Sequence, residues 1–347
     1  MADILRSEIV KEGLLYDSLR SGNVRCRLCE RRCTISDGER GFCNTRMNIG
    51  GVLYTLTYGN LSALESRPIE IKPFFHFWPG STAITFSTWS CNFTCPWCQN
   101  WHLSRRVPDP LKDKYTPPER VVKRAIKHGD QGTCVSFNEP LLLFEYSIDV
   151  FRLARLENLY NTYVSNGYMT LEALKLLKEA GLDALKIDVK GTEESYRRYN
   201  SASVDVVWRN AREAKNLGIH VEIVCLLVTG VSDDESTIEE IVERHLKEVG
   251  DEVPIHFTRY FPAYKYREPP TPIEVLEKAY MIAKNAGIKY PYIGNVPGHP
   301  FENTYCPECN ELLIRRWGMY VVEFRIRNGK CPRCGTEIPV IYPNRKP

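Results

Sequence analysis

Three cysteines spaced within eight residues are the part of this chain best suited to chemistry. Cys91, Cys95 and Cys98 stand in the stretch Ser90-Cys-Asn-Phe-Thr-Cys-Pro-Trp-Cys-Gln-Asn100. Thiolates at the spacing C-x3-C-x2-C can hold three corners of a 4Fe–4S cubane, because cluster irons take cysteine sulfur and a compact loop supplies it. A cubane has four irons, so one is left without a protein ligand. Such an iron can bind a substrate or cofactor and pass it one electron, whereas four ligands suit plain electron transfer. The alternative is a zinc knuckle or a redox pair. Structural zinc wants four ligands in a closed site, and only His102 lies near enough in sequence to add one.

A loop of this kind needs a frame that positions it. Segments 83–88, 133–137, 161–165, 184–189, 220–227 and 254–260 are short apolar runs that read as strands, with 291–294 a candidate seventh. Helical periodicity lies between them. Segment 117–128 opens on prolines suited to a first turn, and 171–180 repeats apolar residues at helical spacing and stops at Gly181. Segments 205–217, 234–249 and 273–286 behave likewise. Alternating strand and helix argues a parallel sheet, because parallel strands need crossover helices. The expected fold class is α/β, a partial (β/α)6 TIM barrel over 76–300. A complete eightfold barrel usually takes ~250 residues, slightly more than this segment has. Small cysteine-rich domains over 1–75 and 301–347 flank it, the first with a strand-like stretch at 51–58.

Active-site residues of such a barrel gather at the carboxyl ends of its strands. The first strand leads into the cysteine loop. The second ends Ser136-Phe-Asn-Glu-Pro140, offering Asn138 and Glu139. A carboxylate there is a natural acceptor for an ammonium donor, or else the Asn-Glu pair caps a turn before Leu141. The third strand ends Val164-Ser-Asn-Gly167, so Ser165, Asn166 and Gly167 either face ribose-like hydroxyls or form an ordinary turn. In Ile187-Asp-Val-Lys190, Asp188 and Lys190 lie two apart and share a face. They pair with the charges of a zwitterion or with each other. Glu222 sits among Val221, Ile223 and Val224 and is expected to point into the barrel. His256 alternates onto the face of Thr258, either beside a ligand or as a hydrogen-bonded core residue.

The cysteine loop resembles the signature of the radical SAM enzymes, in which an aromatic residue commonly precedes the third cysteine, as Trp97 does here. The resemblance implies the same partial barrel, with S-adenosylmethionine (SAM) bound through its amino and carboxylate groups at the open iron. It implies reductive cleavage of SAM to a 5′-deoxyadenosyl radical, which abstracts hydrogen from a substrate. It also implies an electron donor such as ferredoxin or flavodoxin. The family often reads Gly-Gly-Glu-Pro where this chain has Phe137-Asn-Glu-Pro140, so Glu139 keeps the acid and Asn138 replaces a glycine. A Thr-Asn-Gly in the family matches Ser165–Gly167, and glycyl-radical activating enzymes have a histidine at the place of His256.

More of the chain resembles one branch of that family, related to pyruvate formate-lyase activating enzyme. The matching stretches are Cys26-Arg-Leu-Cys-Glu-Arg-Arg-Cys33, Gly38-Glu-Arg-Gly-Phe-Cys43, Pro68-Ile-Glu-Ile-Lys-Pro73 and His256-Phe-Thr-Arg-Tyr-Phe-Pro262. The tail from Cys306-Pro-Glu-Cys309 to Cys331-Pro-Arg-Cys-Gly335 completes the match. The branch implies a substrate that is a protein, as in glycyl-radical activation, or a small molecule. The competing class is a metal-rich RNA or protein adaptor built on an inactive barrel.

The 13 cysteines fall into three groups, leaving Cys134 and Cys225 alone as small buried apolar residues. Cys306, Cys309, Cys331 and Cys334 have the two-knuckle spacing of a zinc ribbon. Cys26, Cys29, Cys33 and Cys43 make another four, for which zinc comes first and an auxiliary iron–sulfur cluster second, since both take four cysteines. Between the C-terminal knuckles Arg315, Arg316, Arg325 and Arg327 interleave with Trp317, Tyr320 and Phe324. That pattern fits single-stranded RNA, but a plain hairpin with one solvated face fits it better. The chain has 46 basic and 43 acidic residues, a net charge of +3, and so no strong nucleic-acid field. With 347 residues, 43% of them hydrophobic, it can build more than one core. No apolar run is long enough to span a bilayer. The opening Met1-Ala-Asp-Ile-Leu-Arg-Ser-Glu has no signal-like apolar core, so a reducing cytoplasm is expected.

Overall fold

A computed structural model describes residues 2–342; Met1 and the last five residues of the C-terminal segment, 343–347, lie outside it. The centre is one eight-stranded sheet in which each strand pairs with the next in sequence. Its strands are β1 (Ala63–Pro68), β2 (Thr82–Ser87), β3 (Gly132–Val135), β4 (Tyr160–Ser165), β5 (Ala184–Val189), β6 (His220–Leu227), β7 (Ile255–Arg259) and β8 (Pro291–Gly294). Strands β2 to β8 are mutually parallel. Six helical crossovers therefore join seven parallel strands, and 291–294 is the seventh. Strand β1 was not foreseen. It pairs antiparallel with β2, from Ala63 opposite Ser87 to Pro68 opposite Thr82. Its side chains are all half-buried, so it lacks the alternation that marks a strand in sequence.

The crossovers are α1 (Pro118–His128), α2 (Phe144–Leu156), α3 (Leu171–Ala180), α4 (Glu193–Asn200) with α5 (Val204–Asn216), α6 (Glu235–Glu248) and α7 (Ile273–Asn285). Local chemistry sets their ends. Thr170 Oγ1 accepts from Ala173 N at the start of α3, and Asp234 Oδ1 accepts from Thr237 N at the start of α6. Gly129 and Gly181 turn left-handed to stop α1 and α3. Sequence periodicity missed α2 because its first turns are buried nearly all round and show no apolar stripe.

Two smaller units flank the sheet. The N-terminal one has two three-stranded antiparallel sheets, one including Arg46–Ile49 and Val52–Thr55 and the other Val24–Cys26 and Thr34–Ile35. Arg46 fastens it to α2 by a two-pronged pair to Glu145 at 2.7 and 2.8 Å. The C-terminal unit is the sheet β9 (Thr304–Tyr305), β10 (Leu312–Trp317) and β11 (Tyr320–Phe324). Buried Arg316 reaches from β10 to the Phe75 carbonyl at 2.8 Å and lies 4.0 Å over the Phe75 ring. Two more of the named arginines are spent on ion pairs, Arg315 with Glu323 and Arg325 with Glu311, while Arg327 is exposed. That leaves less free charge for the nucleic-acid reading.

Candidate functional site

The loops after β2 and β3 are each held in a strained backbone. Ser90 and Phe137 both have positive φ, 72° and 73°, where non-glycine residues rarely sit. Asn138 sits between them. Its Nδ2 donates to the Ser90 carbonyl at 2.8 Å and its Oδ1 accepts from Thr88 N at 3.4 Å. Asn100 in turn donates to the Phe137 carbonyl at 2.7 Å. The side chain that departs from the family's glycine thus ties the end of β3 to the cysteine loop.

Cys91, Cys95 and Cys98 line one cavity of about 670 Å³ that opens to solvent at the carboxyl ends of the strands. Trp97, Asn138, Glu139, Asn166, Asp188, Lys190 and His256 line the same cavity. Trp97 packs edge-on against Tyr199 and Tyr266. His102 is exposed and is not among the lining residues. Burial pushes the Cys91 thiol up to about 12, and iron would displace that proton, since only thiolate ligates. The surroundings fit a cluster. Buried Asn200 stands beside Cys95, 3.1 Å from its sulfur through Oδ1, and its amide nitrogen has no partner.

The third strand end builds the wall beside Glu139. Ser165 Oγ donates to Glu139 Oε1 at 2.8 Å, and Asn166 N to Oε2 at 2.9 Å. Leu141 N also donates, at 3.2 Å, so Glu139 does cap the turn that follows it. Burial pushes the Glu139 carboxyl up to about 7 against those hydrogen bonds. Ser165 and Gly167 lie behind the cavity rather than on it. A Cβ on Gly167, at φ 71°, would come 3.1 Å from Ile187 Cγ2.

On β5, Asp188 sits between two lysines. Lys186 Nζ donates to Asp188 Oδ1, and Lys190 Nζ lies 3.7 Å from Oδ2. Burial works to raise the Asp188 carboxyl, but Lys186 and then Lys190 hold it below its ordinary value. Lys186 was missed in sequence, though period-two alternation places it on the face of Asp188. Lys72, also missed, lines the same cavity, and burial lowers its ammonium to about 8.

Glu222 does point into the barrel but does not line the cavity. It is fully buried and accepts from Phe75 N at 3.0 Å, His76 N at 2.8 Å, His220 Nε2 at 3.0 Å and His256 Nε2 at 2.7 Å. Burial works against its charge, but the His220 and His256 hydrogen bonds outweigh it and keep the carboxyl well below its ordinary range. Glu222 is therefore a positioning residue. It fixes His256, which does reach the cavity, and the segment that brings Lys72 in.

The four C-terminal sulfurs converge, with Cys306–Cys334 at 3.5 Å, Cys309–Cys331 at 3.7 Å and all four within 4.8 Å. One tetrahedral ion fits there. Cys134 and Cys225 are buried away from these groups.

Residues 87–245 match the model of the Radical SAM superfamily. Uncharacterized protein MJ0808 of Methanocaldococcus jannaschii is 39% identical over 335 residues, 96% of this chain and 100% of its own length. Residues 87–245 are a radical SAM superfamily domain. The domain implies a 4Fe–4S cluster and SAM, and radical SAM members generally carry out radical chemistry. A GTP 3′,8-cyclase of Aquifex aeolicus is 28% identical over 151 residues, 42% of this chain and 46% of its own length. A radical SAM methyltransferase of Sphaerobacter thermophilus superposes with a TM-score of 0.49 at 15% identity, over 61% of this chain and 66% of its own. No helix among the described residues is long and apolar enough to cross a membrane.

Proposed function

We propose that the chain is a radical SAM enzyme that cleaves SAM reductively and abstracts a hydrogen atom from a substrate admitted to the large cavity. One observation carries this reading: Cys91, Cys95 and Cys98 share that cavity with Glu139, Asp188, Lys190 and His256. The chemistry a bound cluster supplies is a single electron to the sulfonium. Three cysteines hold it and leave one iron open. Glu139 accepts from the amino group of SAM, and Lys190 with Asp188 meets its carboxylate and ammonium charges. Asn166 faces the ribose. The cavity, of about 670 Å³, opens to solvent, which leaves a route to a bound SAM for a reacting group from a protein or a small molecule. The compartment is a reducing cytoplasm, the reductant a ferredoxin- or flavodoxin-type protein, and the C-terminal quartet a structural zinc site.

Anaerobic reconstitution with iron and sulfide tests the reading. Dithionite and SAM should then yield 5′-deoxyadenosine, and Cys95→Ala should abolish it. A brown, SAM-binding protein that forms no 5′-deoxyadenosine would support the adaptor instead.

A further inference from the structure

The four N-terminal cysteines form a site with a geometry of its own. Cys26, Cys29, Cys33 and Cys43 all line one small cavity of about 20 Å³, walled by Leu28, Ile35, Leu141 and Leu142. Asn92 lines it too, while the adjoining Cys91 lines the radical SAM cavity. The two cavities are therefore neighbours across one residue of the cysteine loop.

Zinc imposes a tight metric. Four sulfurs about 2.3 Å from one ion stand about 3.8 Å apart in a tetrahedron. The C-terminal quartet meets that metric, and among the described residues it is the one group of three or more His, Cys, Asp or Glu whose ligand atoms all approach within 4.8 Å. The N-terminal sulfurs are splayed beyond it around a shared cavity, as those of Cys91, Cys95 and Cys98 are. In a cluster of several irons the sulfurs bind different metal atoms, so they stand farther apart with the inorganic core between them.

The lining adds donors suited to an anionic core. Buried Arg46 spends both terminal nitrogens on Glu145 and leaves Nε without a partner. Asn92 Nδ2 is likewise buried and unpartnered. Gly41 brings bare backbone in, where a Cβ would stand 3.7 Å from Cys33 Sγ and 3.1 Å from Ile35 Cδ1. Sulfide and thiolate sulfur accept from such groups, as the hydrogen bonds that tune cluster sulfurs do.

We infer that Cys26, Cys29, Cys33 and Cys43 bind a second iron–sulfur cluster, not zinc, against the wall of the radical SAM site. Four protein thiolates leave none of its irons open to substrate, so this cluster holds or passes single electrons.

The variant Cys91→Ala/Cys95→Ala/Cys98→Ala isolates this site after anaerobic reconstitution. It should keep visible charge-transfer absorption and iron matched by acid-labile sulfide, with about one zinc per chain from the C-terminal quartet. Adding Cys29→Ala/Cys33→Ala should remove the iron and sulfide and leave the zinc. A triple variant with no sulfide and about two zinc per chain overturns the inference. The wild-type chain provides a second measurement should that variant not fold. Added SAM should shift one of two reduced-cluster EPR signals and leave the other. A single signal wholly shifted by SAM, with about four irons per chain, overturns the inference as well. These are metal and spin readouts, independent of whether 5′-deoxyadenosine forms.

Discussion

Glu139 gives the site a pH dependence that can be worked out in sign. Its carboxyl ordinarily titrates at 4.5 and in the fold at about 7, raised by burial. Between those values the folded chain holds a proton that the unfolded chain has lost, so stability of the SAM-free protein falls as pH rises through this window. Glu70, also raised to about 7 by burial, adds to the same slope. An ammonium beside Glu139 favours the charged form. SAM affinity should therefore weaken up to about tenfold per pH unit below about 7 and level off above it. Equilibrium binding to reconstituted protein at pH 6 to 8 measures this, and Glu139→Gln should flatten the curve. An unchanged slope in that variant would remove Glu139 from the amino-group site. The identity of Asn138 was readable, but its work as a staple to Ser90 was not, because that contact depends on two loops meeting.

The stretch 69–78 matters at the scale of the element. It follows β1 and enters the barrel, where Phe75 lies edge-on to His256 and Tyr292. Its docking rests on Glu222, whose two oxygens serve four donors. An amide in place of the carboxylate would turn its own N–H bonds toward some of them. Glu222→Gln should cost about 3–5 kcal/mol, the range for breaking a buried charged network. Chemical denaturation measures the loss, and a cost under about 1 kcal/mol would show that the segment docks without Glu222. The parallel strands and most crossovers were legible because each repeats a local period. Strand β1 and helix α2 were not, since uniform half-burial in one and all-round burial in the other erase that period.

Across the whole molecule, the C-terminal unit closes one side of the cavity. Glu302, Gly318 and Met319 line it, and Arg316 and Tyr292 join β10 and β8 to the 69–78 segment. The unit has only a small core around its cysteines, so a metal ion would hold it together. Chelation, or Cys306→Ser, should release about one metal ion per chain and expose residues 301–342 to protease while the barrel strands stay protected. Limited proteolysis read by mass spectrometry checks this. Equal protection with and without metal would mean that packing on Phe75 suffices.

Type and spacing of side chains were enough to place the cysteine loop, the parallel α/β frame and the three cysteine groups, because each is written in residues close along the chain. Folding alone settled which acids face the cavity, which are consumed in the wall, and how far apart each set of sulfurs stands. Those depend on distances between strands and loops far apart in the chain. Glu222 shows the difference: its inward direction follows from alternation, but its burial beneath the site follows only from where β6, β7 and the 69–78 segment meet.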